Sequence, residues 1–281
     1  MEMATRRISA PGDESQPTEA DAPYSALPEV EKICLLLASS LAAIISPFST
    51  CIYYPSVNAL SRDLGVSISL INLTISTYQV FQGIASSVTA AISDTYSRRP
   101  AYLFCFIIYL GANLGLALQD VHAALLVLRC VQSSGSSGTV VLGQAVVWDL
   151  TTRAERGKYI ASTIIGYTLG PALGPLVGGL LSQCLHWRAM FWFLLILCSV
   201  LASVMFIFFR ETRRSIVGNG SVPPPTWNRS LLQMIRPDST TPEAKTLEKR
   251  RPVVNPFRSV PILGDRESCV IIMYGGLLYA G

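Results

Sequence analysis

Six stretches of this chain run for about 20 residues each with almost no charge, the length a helix needs to cross roughly 30 Å of hydrocarbon at about 1.5 Å per residue. They extend approximately from Ile33 to Tyr54, Leu70 to Ile92, Ala101 to Leu118, Ala123 to Val147, Tyr159 to Leu181 and Ala189 to Phe209. A soluble domain needs charge spread over its whole surface, at about 25% of residues. Here only 14% are charged, and of the 40 Asp, Glu, Lys and Arg, 27 lie before Ile33 or after Phe209. The pattern therefore predicts an all-α membrane protein whose core is a six-helix bundle.

What flanks the bundle divides the chain into four parts. Residues 1–31 mix acids with Ser, Pro, Thr and Ala and are too polar to bury a core, which predicts a disordered tail. Residues 32–209 form the six-span bundle, and residues 210–267, rich in Pro, Ser, Arg and Lys, read as a solvated linker. A seventh apolar run, 268–281, would reach only about 21 Å as a helix, short of a crossing. It reads as an incomplete seventh span, the start of the second half of a larger design.

Orientation follows from the bias of Lys and Arg toward the cytosolic side of short loops. With the N-terminus cytosolic, 19 of the 22 basic residues fall on that side, Arg62 and Arg188 fall opposite, and Arg129 lies within a span. The net charge of +4 is thereby explained by topology rather than by a nucleic-acid partner. The seven cysteines are scattered singly, and His122 and His186 lie 64 positions apart in separate loops, so neither a disulfide framework nor a metal site is signalled. No P-loop or nucleophile elbow occurs, and intramembrane proteolysis would need paired acids or a metal-binding His pair. The expectation is a non-enzyme without metal or cofactor.

Three segments break the apolar monotony. Between the second and third spans, Asp94 precedes Arg98 and Arg99 in a very short loop, which either locks two helix ends through charge-assisted contacts or is simply a basic loop containing one acid. In the fourth span Arg129 is the lone ionisable group well inside, on one face with Gln132, Ser136, Val140 and Gly143. A buried Arg either faces a polar cavity or partner, or snorkels to the interface. In the fifth span Gly166, Gly170, Gly174 and Gly178 recur every fourth residue, with Pro171 and Pro175 between them and Gly179 following. Small residues at that spacing form a stripe against which another helix packs closely.

These segments resemble, in chain order, the signatures of the major facilitator superfamily. Asp94, Arg98 and Arg99 match its cytosolic loop pattern G-x-L-x-D-R-x-G-R-R/K, with Ala90, Thr95 and Ser97 in place of Gly, Arg and Gly. Arg129, Gln132 and Gly135 match R-x-x-Q-x-x-G. Gly170, Gly174, Pro175, Gly178 and Gly179 satisfy every fixed position of G-x-x-x-G-P-x-x-G-G, the signature of its drug/proton antiporter branch, and the style is that of fungal multidrug exporters. The resemblance implies the six-helix N-terminal half of a twelve-span transporter, with a six-helix C-terminal half as its missing partner. It also implies that Asp94, Arg98, Arg99 and Asp149 form a gate between access states, and that Arg129 and Gln132 couple binding to conformational change. Its implied activity is efflux of small amphipathic organic compounds in exchange for protons, across a lipid bilayer. A non-transporting half-transporter fragment and a facilitator of another small solute are the alternatives. For the substrate cavity, the candidates are Phe48 and Tyr53 beside Pro47, and Asn72 and Gln79 on one face of the second span. No Asp or Glu lies in the middle of any span, so a carboxylate proton carrier would be Asp94, Asp149 or a group in the other half. The plasma membrane is the expected location, with the vacuolar membrane as alternative.

Overall fold

A computed structural model describes residues 29–212, apart from 96 and 153, together with 269, 270, 273 and 274. The tail, nearly all of the central linker and most of the seventh apolar run lie outside the described residues. Those described form helices and short connections, with no strand among them: α1 (Glu29–Cys51), α2 (Val57–Asp63), α3 (Ile68–Thr95), α4 (Arg98–Leu118), α5 (His122–Leu150), α6 (Arg156–Cys184) and α7 (Arg188–Phe208). The all-α expectation holds, and the second to sixth apolar runs each coincide with one long helix.

Two departures have local causes. The first apolar run is not one helix, because Pro55 starts a 3-10 turn, Tyr54–Ser56, that leads into the short α2. Then Gly65, at φ +62°, ends α2 in the left-handed conformation that glycine takes without a Cβ penalty. Secondly, five helical segments among the described residues are long and apolar enough to cross a bilayer, and α3 is not one of them. At 28 residues it is long enough, but Asn72, Ser76, Gln79, Gln82 and Ser86 dilute its hydropathy.

α5 is the pillar of the bundle, packed against α1, α3 and α4, while α4 also packs on α7 and α6 lies mainly along α1. Glycines set these close approaches. A Cβ on Gly135 would come within 2.8 Å of the Cys105 carbonyl and the Tyr109 amide nitrogen of α4. Two apolar clusters form. One gathers Leu36, Tyr102, Phe106, Val146, Met205 and Phe209 toward the end of the bundle that carries Arg98. The other gathers Phe48, Ile52, Leu60, Leu125, Trp187 and Phe191 toward the end that carries Arg188. Between them, a polar layer crosses the bundle. Gln82 donates to Ser46 at 2.8 Å, Ser49 bonds the Tyr109 hydroxyl, and Gln132 donates to Asn113 at 2.8 Å. Where lipid removes most of the hydrophobic drive for helix association, such close packing and interhelical hydrogen bonds, about 0.6 kcal/mol each on average, hold the helices together.

Candidate transport core and charged gate

The Arg98 end of the bundle carries a charge network joining several helix ends. Arg98 begins α4, and its Nε donates to Asp149 of α5 at 2.9 Å. Its Nη1 donates to Asp94 at 2.8 Å and to Ser93 at 2.6 Å, both on α3. Arg98 and Asp149 are sheltered, with side chains 11% and 14% exposed, whereas that of Asp94 is 70% exposed. The buried bond of Arg98 is therefore the one to Asp149, and Asp94 forms its solvent-facing arm. Through these contacts Arg98 ties the ends of α3, α4 and α5 together.

The sequence signal missed Glu211, just beyond α7. Its carboxylate accepts from the backbone N–H of Arg98 at 3.1 Å and of Arg99 at 3.2 Å, and from the Ser97 hydroxyl. An acid there satisfies orphan N–H groups and complements the positive end of α4. Ser97 stands where the resembled pattern has glycine and adopts φ 158°, ψ 160°, backbone territory in which glycine is favoured. The grip of Glu211 on its hydroxyl and on the two following amides holds that conformation. Arg99 also donates from Nη2 to the Phe206 carbonyl at 2.9 Å. Lys32 with Glu155 at 3.2 Å, and Arg210 with Glu31 at 2.7 Å, extend the network to α1 and α6.

Deeper in the bundle, Arg129 is 1% exposed, so it does not snorkel. Tyr53 and Tyr78 cover its guanidinium, with ring centroids at 4.2 and 4.3 Å. Each desolvated cation–π contact of this kind contributes about 0.5–2 kcal/mol, against roughly 2.5–3.5 kcal/mol for placing Arg mid-span on insertion scales. Arg129 Nη1 donates to Gln132 at 2.7 Å, and Gln132 in turn to Asn113. The tyrosines are themselves fixed, Tyr53 to Thr74 at 3.0 Å and Tyr78 to Ser136 at 2.8 Å. Arg129 Nε and Nη2 have no hydrogen-bond partner, and no carboxylate among the described residues pairs with this guanidinium. Tyr78 belongs to the site and was not singled out from the sequence.

Gly170, Gly174 and Gly178 are buried against the end of α1. A Cβ on Gly170 would meet Pro47 Cγ at 2.8 Å, one on Gly174 would meet Cys51 Cβ at 2.8 Å, and one on Gly178 would strike the Ile52 carbonyl. Gly179 faces more open space, with Pro55 Cβ 4.0 Å away, and Pro175 is exposed. The partner of the stripe is thus α1, at and beyond its Pro47. The four candidate cavity residues divide into a buried and an exposed pair. Phe48 packs on Phe193 and Tyr53 on Arg129, both buried, while Asn72 and Gln79 lie on the exposed side of α3.

Long apolar helices with a charged network at one end, a glycine-packed helix pair and a buried arginine define a polytopic membrane bundle. The chain belongs to the Major Facilitator Superfamily, which it matches over residues 39–280, and it is an integral multi-pass membrane protein. It is 56% identical to MFS-type transporter R5 of Phoma sp., over 100% of this chain and 54% of that protein. To MFS-type transporter clz19 of Cochliobolus lunatus it is 54% identical over 92% of this chain and 49% of that one. To Multidrug transporter QDR2 of Candida glabrata it is 34% identical over 95% of this chain and 47% of that one. The chain thus spans about half the length of these relatives. Among solved structures, the proton:xylose symporter XylE matches with a TM-score of 0.60 at 14% identity, over 66% of this chain and 46% of that one. At such identity the likeness concerns the fold alone.

Proposed function

We propose that this chain is the N-terminal half of an exporter that moves small amphipathic organic compounds out of the cytosol in exchange for protons, by alternating access. The observation that carries the reading is the complete antiporter pattern on α6, with Gly170, Gly174 and Gly178 set directly against the kinked end of α1. Kinship with a multidrug transporter supports the exporter branch. In this reading the protein sits in the plasma membrane with its N-terminus and the Arg98 end in the cytosol, and it works with a second six-helix half. The broad exposed sides of α3 and α6 suit that partner. Asp94, Arg98, Arg99 and Asp149, with Glu211, act as the gate that sets the access state, and Arg129 with Gln132 couples binding to the switch.

The test is efflux of a fluorescent drug panel from cells expressing the chain together with a C-terminal half of a relative, with and without a protonophore. Export that the protonophore abolishes is the expected result. Protonophore-insensitive export, or no export of any compound in a broad panel, sinks the proton-antiport reading.

A further inference from the structure

The unused donors of Arg129 share a geometry. Nε and Nη2 lie along one edge of the guanidinium, the edge that holds both oxygens of a carboxylate in parallel bonds. Here both are buried and without a partner, while the remaining terminal nitrogen is committed to Gln132. The Tyr53 and Tyr78 rings lie against the guanidinium, at 4.2 and 4.3 Å. A guanidinium only 1% exposed thus keeps one bidentate edge unfilled, and no acid among the described residues reaches it. Of the neutral groups around it, Gln132 accepts from Nη1 and donates to Asn113, while Ser136 and Thr74 bond the tyrosine hydroxyls, and that edge stays free.

We propose that this edge is the anchoring point for the carboxylate of a small organic acid, and that the two tyrosine rings embrace the apolar part next to it. The substrate class of the carrier is then amphipathic monoanions rather than the lipophilic cations that a drug exporter is ordinarily probed with. Entry requires Tyr53 to move. That residue lies in the break between α1 and the following 3-10 turn, where no continuous helix fixes it, and its hydroxyl is tied to Thr74. The edge serves as the attractive element, because a planar guanidinium presents two parallel donors that match a carboxylate.

This inference rests on the transporter reading, so the experiment reads binding rather than transport. The purified chain in detergent is titrated with sodium benzoate, with benzamide as the uncharged isostere and with sodium chloride, and the thermal midpoint of helix loss is followed by circular dichroism. Benzoate should raise the midpoint in a saturable manner, with benzamide and chloride leaving it unchanged. Arg129→Lys, which retains charge but not the bidentate edge, should weaken the benzoate response by about tenfold or more, and Arg129→Gln should abolish it. An equal response to benzamide or to chloride overturns the proposal, as does a benzoate response that survives in Arg129→Gln. Loss of the response once a C-terminal half is co-purified assigns the edge to a protein carboxylate and also overturns it. The benzoate and benzamide comparison stands on the unaltered protein even where a variant fails to fold. Benzoate binding with no export in cells would sink the exporter reading and leave this one intact.

Discussion

At the scale of single residues, the Arg98 end of the bundle divides charges that matter from charges that decorate. Removing one member of a sheltered ion pair leaves the other charge uncompensated, whereas an exposed pair contributes about 0–1 kcal/mol. Asp149→Ala should therefore cost about 2–3 kcal/mol, somewhat under the fully buried limit, because Asp94 and Ser93 still hold Arg98. Asp94→Ala should cost less than about 1 kcal/mol. Thermal unfolding of both variants in the same detergent checks the order, and equal losses would refute it. Glu211→Ala removes three acceptances at the start of α4 and should cost about 1–2 kcal/mol, the range of a lost helix cap. A variant as stable as the parent would show that water caps the helix equally well. Asp94, Arg98 and Asp149 could be picked out in the sequence because they lie at the ends of apolar runs. Glu211 could not, since it caps amides more than 110 positions earlier and nothing local marks an acid as the cap of a distant helix.

At the scale of helices, the glycine stripe was legible but its partner was not. A period of four specifies a smooth face and says nothing about which neighbour lies on it. The partner is α1, and the fit discriminates between adjacent glycines. Gly178→Ala forces a Cβ into the Ile52 carbonyl and should destabilise the bundle by about 1–3 kcal/mol, the usual cost of overpacking. Gly179→Ala, one residue on, meets only Pro55 at van der Waals distance and should be close to neutral. Circular dichroism melts of the pair decide the matter, and comparable losses would mean that helix propensity rather than packing governs the site. Arg129 repeats the lesson. Its own position on α5 was evident from charge, but the aromatic cover comes from Tyr53 beyond α1 and Tyr78 on α3, brought together only by packing. Of the candidate cavity residues, Phe48 and Tyr53 are buried and Asn72 and Gln79 exposed, a division not legible in the sequence because a shared helical face does not say which way that face points.

At the scale of the whole molecule, two native cysteines report orientation. Cys34 near the start of α1 and Cys184 at the end of α6 are both exposed and belong to opposite ends of the bundle. With the Arg98 end in the cytosol, a membrane-impermeant maleimide added to intact cells should label Cys184 and spare Cys34, and Cys184→Ser should remove the signal. The reverse pattern would invert the topology. The apolar runs made the number of long helices readable, since length and hydropathy are local properties. The exception is α3, which reaches across a bilayer in length while falling short in hydropathy. Left to itself beside lipid, such a helix has too little reason to leave the water-filled channel through which nascent chains are threaded. It has, however, a strongly apolar successor only two residues away, and a turn whose Asp94 and Arg98 are already paired. The two helices are therefore best released into the membrane together as a hairpin, so that the order of synthesis, and not the hydropathy of each helix alone, decides whether the bundle assembles.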